Sequence, residues 1–429
     1  MSTLQTSDFR LAPAGLSPDR TVLDNGAVFL AKETTTTPAV SINVAVRAGS
    51  ASDPPGAEGT TWMLSRVIDR GTARRSAAEI AEDLDGRGVT LTISVTRHLL
   101  SIACTCLAED FEPVLALLAE IVTMPSLPED EIATRKGEVV TAIRQDEDNP
   151  AVRASETLMA ALYPDGHPYG RPTKGSIDIV ERLTREDLVR QHRSRFAPAA
   201  IIGVVVGDVP VGRIRDATGR AFGNWHAPAP APVALPRPVP RDARTRMIVS
   251  MMNKSQTDIA YGFVAIARHD PDYYAGWLMN NAFGQYAIGG RLGDSIRERQ
   301  GMAYYVSSSL DANVVEGPLA IRAGVAPGNV DRAIASIDEE ILRLIDEGLT
   351  ERELEESRRY LIGSMPRALE TNAGIASFLL NEEFFGLGLD YDVRLPDYLG
   401  AVTLDAATAA ARRILDVNRA TIVVAGPYR

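Results

Sequence analysis

Residues 226–240 read His-Ala-Pro-Ala-Pro-Ala-Pro-Val-Ala-Leu-Pro-Arg-Pro-Val-Pro and divide the chain in two. Prolines spaced this closely favour extended polyproline II backbone and exclude helix, so 225–241 is predicted to be a semi-rigid linker. The linker separates an amino-terminal domain, 1–224, from a carboxy-terminal domain of similar size, 242–429. A chain of 429 residues predicts two or three cores at roughly 150 residues each. Two equal parts in turn suggest an internal duplication.

Matching segments in the two halves support the duplication. Thr184 and Thr403 each open a predicted helix that leads to an apolar strand, and the strands end at Gly207 and Gly426. The numbering offset is 219 for both pairs. Upstream, Leu127-Pro-Glu-Asp-Glu is matched by Leu349-Thr-Glu-Arg-Glu, at an offset of 222. The small difference between the offsets corresponds to one short insertion, so we expect one fold used twice.

Each half mixes strand and helix patterns. Residues 40–47 alternate apolar and polar side chains, which predicts a half-buried strand. Ser76 with Glu79, and Thr350 with Glu353, have the spacing of capping boxes at helix starts. Strands followed by runs of helices predict an α+β chain of two homologous α/β-roll halves. Each half would have a mostly antiparallel sheet with helices packed on one face, and the linker would let the halves face each other as a clamshell.

Composition and charge exclude several classes of protein. The formal net charge is −11 and no long Lys/Arg cluster occurs, which disfavours nucleic-acid binding and attachment to a membrane surface. The first twenty residues contain no apolar run of signal-peptide length, and no window approaches eighteen uncharged apolar residues. We therefore expect a cytoplasmic protein. Cys104 and Cys106 lie on one side of a predicted strand and are interpreted as buried free thiols.

Residues 59–72 read Gly-Thr-Thr-Trp-Met-Leu-Ser-Arg-Val-Ile-Asp-Arg-Gly-Thr. This segment resembles the active-site helix of the pitrilysin/insulinase family of zinc peptidases, the inverzincins, whose signature is H-x-x-E-H followed by Gly-Thr. In that helix two His residues four apart bind zinc, and the Glu is the general base. Aligned on the Gly-Thr pair, Trp62 and Arg66 occupy the His positions and Ser65 occupies the Glu position.

The resemblance extends over essentially the whole chain. The family's third zinc ligand is a Glu in an acidic helix; here that helix is 138–150, and Ala142 stands at the ligand position. The tract 167–173 is similar to a surface loop of the family. Trp62 has no lone pair for a metal, and Arg66 carries a permanent positive charge. The sequence therefore predicts an amino-terminal domain that binds no catalytic zinc.

A second resemblance lies in the carboxy-terminal half. The glycine-spaced stretch 284–293 is followed by 295–306, which reads Ser-Ile-Arg-Glu-Arg-Gln-Gly-Met-Ala-Tyr-Tyr-Val. This is similar to the family's Gly-rich loop, Arg-bearing helix and Tyr-bearing strand, and implies that Arg297 and Tyr304 are catalytic. A Tyr hydroxyl can donate a hydrogen bond to the oxyanion of a tetrahedral intermediate. A guanidinium can anchor a peptide carbonyl or carboxylate.

Alternatives stay open for this stretch. Arg297 can also be a solvated helix charge and Tyr304 a simple strand aromatic, while Arg299 and Tyr305 are the neighbouring registers. Gly289 and Gly290 can form only a turn, or can supply backbone that approaches a bound peptide. His167, in the loop upstream, is interpreted as a structural imidazole.

Two functional hypotheses follow from the resemblance. In the first, the chain is the Arg/Tyr subunit of a heteromeric zinc endopeptidase that is inactive alone. A homologous partner with an intact H-x-x-E-H would carry the zinc, and the two chains would close around an unfolded peptide. In the second, the chain is a non-catalytic pseudo-peptidase with a structural or peptide-binding role. With the zinc-bearing partner the chain would form a heterodimer, and without that partner the alternative is a homodimer.

Overall fold

The computed structural model describes residues 15–285 and 289–428 of the chain. Its strands form two sheets, one in each half. The amino-terminal sheet is formed by β1 (Asp19–Val22), β2 (Val28–Glu33), β3 (Ala39–Val46), β4 (Thr92–Val95), β5 (Leu100–Leu107) and β6 (Ile201–Gly207). The carboxy-terminal sheet is formed by β7 (Thr245–Ser250), β8 (Thr257–Val264), β9 (Ala303–Leu310), β10 (Pro318–Val325) and β11 (Thr421–Gly426).

Helices connect these strands in both halves. The amino-terminal half contains α1 (Thr60–Val67), α2 (Ala77–Gly86), α3 (Phe111–Thr123), α4 (Glu129–Glu147), α5 (Pro150–Leu162), α6 (Ile177–Arg182), α7 (Arg185–Arg195) and α8 (Val211–Phe222). The carboxy-terminal half contains α9 (Tyr273–Asn280), α10 (Val330–Glu347), α11 (Glu351–Ala368), α12 (Asn372–Phe385), α13 (Tyr391–Gly400) and α14 (Leu404–Ile414). Two π-helical turns span Asn281–Gln285 and Gly293–Arg299. Short 3₁₀ turns span Ser50–Ser52, Ala108–Asp110, Pro168–Gly170, Pro198–Ala200 and Pro327–Asn329.

The two sheets have the same topology. The strand order is β2-β6-β3-β5-β4 in the first sheet and β7-β11-β8-β10-β9 in the second. When the five strands of each set are numbered along the chain, both orders read first, fifth, second, fourth, third. In both sheets the first pair is parallel and the following pairs are antiparallel. The first sheet carries the additional edge strand β1, antiparallel to β2. The predicted fold class, an α+β chain of two homologous halves, is confirmed.

Strand β3 corrects one detail of the prediction. The apolar positions Val40, Ile42, Val44 and Val46 face the main amino-terminal core, as expected. The alternate positions Ser41, Asn43 and Ala45 are buried too, so the strand is covered on both faces rather than half-buried. The second cover is α12, which packs on β6 and β3. A strand pattern cannot reveal a helix that arrives from the other half of the chain.

The halves exchange one helix each. Helix α5, from the amino-terminal half, packs on β8 and β11, while α12 packs on the amino-terminal sheet. Leu158 and Leu162 of α5 join Ala260 and Val423 in one cluster. In the other cluster, Ile375, Leu379 and Leu380 of α12 contact Ile202, Val204 and Val206. The two exchanged helices begin at Pro150 and Asn372, which differ by 222 in residue number. This is the offset of the repeated segments that begin at Leu127 and Leu349.

The predicted helix starts are present. Ser76–Glu79 and Thr350–Glu353 form complete capping boxes. Thr184 and Thr403 cap α7 and α14, and accept hydrogen bonds from backbone N–H groups of the first turn. Helix α11, which begins after Thr350, reaches Ala368 and contains Pro366.

Residues 225–241, the predicted linker, form neither helix nor strand. Cys104 and Cys106 are buried free thiols within the amino-terminal core. None of the described helices is long and apolar enough to cross a membrane. The sequence argument about a signal peptide concerns residues 1–20, most of which lie outside the described residues.

Candidate functional site

The four positions aligned with the zinc motif lie on two neighbouring helices. Trp62, Ser65 and Arg66 are on α1, and Ala142 is on α4, which packs against α1. Ser65 is buried, and its hydroxyl donates a hydrogen bond to the Trp62 carbonyl at 2.6 Å. Arg66 is exposed, whereas Trp62 and Ala142 are half-buried. The positions therefore share a region of the fold but offer no converging set of donors.

A cleft with a volume of about 570 Å³ adjoins Trp62. The Lys174 ammonium lies 5.6 Å from the centroid of the Trp62 ring and 2.5 Å from the Asp146 carboxylate. Asp146 is one turn beyond Ala142 on α4. The indole, ammonium and carboxylate thus link α1, the loop after the 168–170 turn and α4. Paired charges and an aromatic ring line this cleft.

Asp69, two residues after the end of α1, lies near several arginines. Asp69 lies 3.3 Å from the Arg70 guanidinium. Burial raises the pKa of Asp69, and the charges of Arg70, Arg135 and Arg66 act in the opposite direction. A dication placed beside Arg66 would meet these guanidinium groups, and electrostatic repulsion would oppose it.

The residues present do not fit a zinc ion. Zinc requires three or four His, Cys or carboxylate donors that converge on one point. Indole, guanidinium, hydroxyl and methyl side chains at the four positions supply no such set. Among residues 15–285 and 289–428, no group of three His, Cys, Asp or Glu is placed to hold a metal ion.

Asp53 positions α1 and was not identified from the sequence. Asp53 precedes Gly59, the N-cap of the helix. Its carboxylate accepts hydrogen bonds from the backbone N–H groups of Gly59 at 2.8 Å and Thr61 at 2.9 Å. It also accepts one from the Thr61 hydroxyl at 2.6 Å. The Gln191 amide of α7 donates to the Thr61 hydroxyl at 3.0 Å. Burial raises the pKa of Asp53 to about 6, against the effect of these hydrogen bonds. A buried carboxylate with donors from two helices explains the fixed orientation of α1.

Arg297 and Tyr304 are both exposed in the carboxy-terminal half. Arg297 lies on the second π-helical turn, and its closest carboxylate is that of Glu298 at 3.6 Å. Tyr304 is on the edge strand β9, with 70% of its surface exposed. Among the described residues its hydroxyl makes no hydrogen bond. π-Helical turns occur frequently at functional sites.

The neighbouring registers are engaged in structural contacts. The Tyr305 hydroxyl donates to Asp258 at 2.6 Å, and burial raises the pKa of Tyr305. Arg299 pairs with Asp294 at 3.0 Å and approaches Glu340 at 3.8 Å. The hydrogen bond to Asp258 thus distinguishes Tyr305 from the exposed Tyr304, whereas Arg297 and Arg299 are both exposed and both lie near a carboxylate.

The glycine pair and His167 have different surroundings. Gly289 is exposed and lines a cleft of about 360 Å³, whereas Gly290 is buried and its carbonyl accepts from the Asp294 N–H at 3.0 Å. Residues 286–288, which come directly before this glycine pair, lie outside the described part of the chain. His167 is buried, accepts from the Tyr169 N–H at 3.0 Å and bonds the Pro236 carbonyl at 2.9 Å. The His167 ring therefore anchors the linker.

The structure does not join the two candidate regions by polar contacts. Among the described residues, no hydrogen bond or ion pair connects Arg297 or Tyr304 with α1 or α4.

Comparisons with known proteins agree with this description. The family model described as "Insulinase (Peptidase family M16)" matches residues 28–175, and the model described as "Peptidase M16 inactive domain" matches residues 182–361. Together with the two equivalent sheets, these matches define the class: the chain belongs to the insulinase family of peptidases.

Relatives and solved structures cover nearly the whole chain. An uncharacterized zinc protease of Mycobacterium tuberculosis is 26% identical, over 97% of this chain and 94% of its own length. The non-peptidase homolog YmxG of Helicobacter pylori is 21% identical, over 89% of this chain and 88% of its own. A crystal structure of a peptidase inactive domain from Pseudomonas fluorescens aligns with a TM-score of 0.89 at 25% identity, covering 96% of this chain and 98% of that one.

Proposed function

We propose that this chain is the non-zinc subunit of a heteromeric zinc endopeptidase, and that it contributes Arg297 and Tyr304 in trans to a homologous partner with an intact H-x-x-E-H. One observation carries the proposal. Tyr304 is 70% exposed on an edge strand, with no hydrogen-bond partner for its hydroxyl among the described residues. The adjacent Tyr305 is engaged with Asp258.

The chemistry of the proposed site follows from these two side chains. A phenol at this edge would donate a hydrogen bond to the oxyanion that forms when a peptide carbonyl is attacked. The Arg297 guanidinium would hold a carbonyl or carboxylate of the peptide. Gly289, exposed beside the loop, would let the peptide backbone approach closely, and Gly290 would support the turn. The substrate would be an unfolded peptide.

The zinc would belong to the partner, because Trp62, Ser65, Arg66 and Ala142 offer no set of ligands. Residues 182–361, mostly in the carboxy-terminal half, match a model described as an inactive domain, so neither half of this chain would supply zinc ligands under the proposal. The M. tuberculosis relative carries the name zinc protease.

The second candidate is a non-catalytic pseudo-peptidase with a structural or peptide-binding role. The specific observation in its favour is the H. pylori relative named a non-peptidase homolog. In that case Tyr304 would be a contact surface rather than a hydrogen-bond donor to reacting atoms.

A comparison of two Tyr variants in the reconstituted complex tests the proposal. The partner to be mixed with this chain is a homologue of similar size with an intact H-x-x-E-H, and the neighbouring genes are the first place to look for it. Tyr304→Phe keeps the ring and removes the donor, so peptide binding should persist while kcat falls by up to about 10²–10³. The control, Tyr305→Phe, removes the bond to Asp258 and should lower stability while changing kcat less than about twofold. Arg297→Ala should raise KM as well as lower kcat.

The results separate the two candidates. Each chain alone should cleave no peptide, and this chain alone should hold no stoichiometric zinc after dialysis. Equal kcat for Tyr304→Phe and wild type in an intact complex would overturn the proposal and favour the pseudo-peptidase.

A further inference from the structure

A cavity of about 480 Å³ lies between the two halves and beneath the linker. The amino-terminal half contributes the ends of β3 and α7 and the turn between β4 and β5. The linker covers it with 229–233 and Leu235, and the carboxy-terminal half adds Phe384 and Phe385 at the end of α12. Alanine, proline and phenylalanine side chains dominate its walls. Its volume is within the range of small-molecule sites.

The polar lining of this cavity is cationic. Arg47, Arg97 and Arg195 all line it, and no Asp or Glu is among the lining residues that the structure describes. Ser52 and two histidines also line it. His269 is exposed, and the His98 ring nitrogen Nε2 bonds the Tyr169 hydroxyl at 2.7 Å. Burial and the neighbouring Arg97 lower the pKa of His98 to about 4, so this imidazole is neutral near pH 7.

The three guanidinium groups have only uncharged partners within the described residues. Arg47 donates to the Phe384 carbonyl at 3.3 Å, and Arg195 donates to the Ala231 carbonyl at 2.7 Å. Arg97 donates through one nitrogen to two carbonyls in the 168–171 loop, at 3.1 and 2.8 Å. Each guanidinium has five N–H donors, so donors are left over on all three.

Two carboxylates act on these arginines at longer range, Asp311 on Arg97 and Glu383 on Arg47, and Glu383 is already engaged by another residue. Glu383 acts on Arg47 only at longer range, because its two carboxylate oxygens accept from Arg20 at 2.9 and 2.8 Å. Burial lowers the pKa of both Arg47 and Arg97, which reflects the cost of holding these charges away from water. A bound anion would remove part of that cost. Elsewhere on this chain many arginines pair with carboxylates, for example Arg413 with Asp270 and Asp272.

We propose that this cavity binds a small organic anion, whose carboxylate or phosphate is held by Arg47, Arg97 and Arg195 and whose apolar part packs against the linker and the Phe384–Phe385 pair. Arginine suits this role because its planar fork matches the oxygen geometry of both groups. The ligand would contact both halves and the linker at once, and would therefore stiffen the linker against the amino-terminal half. This site does not include Arg297 or Tyr304. Arg97 also lines the cleft beside Trp62, whereas Arg47 and Arg195 line this cavity and not that cleft.

Thermal unfolding and hydrogen exchange of the full chain test the proposal. The probes are benzoate and phenyl phosphate, with benzyl alcohol as the uncharged analogue and inorganic phosphate as the anion without an apolar part. At about 10 mM, benzoate or phenyl phosphate should raise Tm by at least about 2 °C, through preferential binding to the folded state. The anion giving the larger shift identifies the head group. Hydrogen exchange should slow in 229–235 when the ligand is present.

Variants that each remove one arginine charge show whether the rise in Tm comes from anion binding in this cavity. Arg47→Met and Arg195→Met keep the apolar stem and remove the charge, and each should weaken anion binding at least about tenfold. The matched control, Arg237→Met, removes an exposed linker arginine that lies outside this cavity and should leave the shift unchanged. Melting without ligand verifies that each variant is folded. No shift with either anion, an equal shift with benzyl alcohol, or an undiminished shift in both cavity variants would overturn the proposal.

Discussion

Arg268 is a buried cation whose surroundings are aromatic. Its guanidinium carbon lies 3.8 Å from the centroid of the Tyr273 ring and 5.6 Å from that of Tyr391, and it donates to the Tyr391 hydroxyl at 2.8 Å. Phe385 and Tyr274 complete the enclosure. Arg268 therefore ties the loop after β8 to α9, α12 and α13 through cation–π contacts rather than an ion pair.

Arg268→Lys should be strongly destabilising although the charge is kept. Lysine cannot stack a planar guanidinium on Tyr273 or direct a second donor at Tyr391. We expect a loss of about 1–3 kcal/mol in the free energy of unfolding, measured with urea. The control, Arg352→Lys, changes an exposed residue and should cost less than about 0.5 kcal/mol. An equal loss of unfolding free energy in Arg268→Lys and Arg352→Lys would show that the aromatic contacts of Arg268 do not stabilise the fold.

Asp53 predicts an unusual dependence of stability on pH. Burial raises its pKa to about 6 in the folded protein, above the value near 3.9 of an unfolded chain. The folded state therefore binds this proton more tightly, and that contribution is lost as pH rises from about 4 to beyond 6. The free energy of unfolding of wild type should fall over this range relative to Asp53→Asn.

Glu79 supplies a control of opposite sign for that measurement. Its pKa is lowered by the hydrogen bonds to the Ser76 backbone and hydroxyl in the capping box. Wild type should therefore gain stability relative to Glu79→Gln as pH rises through the range in which an unfolded Glu titrates. Urea unfolding at intervals between pH 3 and 8 provides both differences, because the change for Glu79 begins below the pKa of an unfolded Glu. A rising curve for Asp53 would mean that its hydrogen bonds outweigh its burial.

At the scale of elements, the two equivalent strands β6 and β11 end in glycines that the fold requires. Gly207 has φ 155° and Gly426 has φ 145°. A Cβ at Gly207 would lie 2.3 Å from the Ala39 carbonyl oxygen, and one at Gly426 would lie 2.7 Å from the Thr257 Cα. Both the backbone conformation and the close approach of the neighbouring strand exclude a side chain.

Gly207→Ala and Gly426→Ala should each lower the free energy of unfolding by about 1–3 kcal/mol. Gly363→Ala is the matched control, since Gly363 lies inside α11 with nothing near its Cβ position. That substitution should raise stability by about 0.4–1 kcal/mol. Thermal or urea unfolding of the three variants checks the signs. A stabilising effect at Gly426 would refute the equivalence of the strand ends.

At the scale of the whole molecule, the exchange of α5 and α12 makes each half depend on the other. Without its partner, each half would expose the apolar side of its exchanged helix. It would also leave one face of its own sheet uncovered. Deleting a buried leucine side chain costs about 2–5 kcal/mol, so losing a whole helix should exceed the stability of a typical domain.

We therefore expect fragments 1–224 and 242–429 to be insoluble or partly unfolded when expressed separately. Co-expression should yield a one-to-one complex that purifies through a tag on either fragment. Leu158→Asp in the first fragment should abolish the complex, since it places a charge against β8 and β11. An exposed change on the same half, Glu82→Gln, should not. Cooperative unfolding of either fragment alone would contradict this expectation.

Local chemistry was sufficient for much of this protein. The linker, the capping boxes and the strand ends at Gly207 and Gly426 could be located because proline, hydroxyl caps and glycine act within a few residues of themselves. The degenerate motif could be found because zinc ligands need fixed residue types at a fixed helical spacing. The duplication was visible as the repeated offsets of 219 and 222.

Contacts between distant residues settled what local patterns could not. The burial of both faces of β3, the exchange of α5 and α12, and the carboxylate cap of α1 by Asp53 depend on groups that meet only after folding. Tyr304 and Tyr305 differ because alternate positions on a strand face opposite sides, and one side meets Asp258. The cationic cavity likewise joins the end of β3, the turn between β4 and β5, the ends of α7 and α12, and the linker. Burial and charge pairing are properties of the packed chain, so no single segment encodes them.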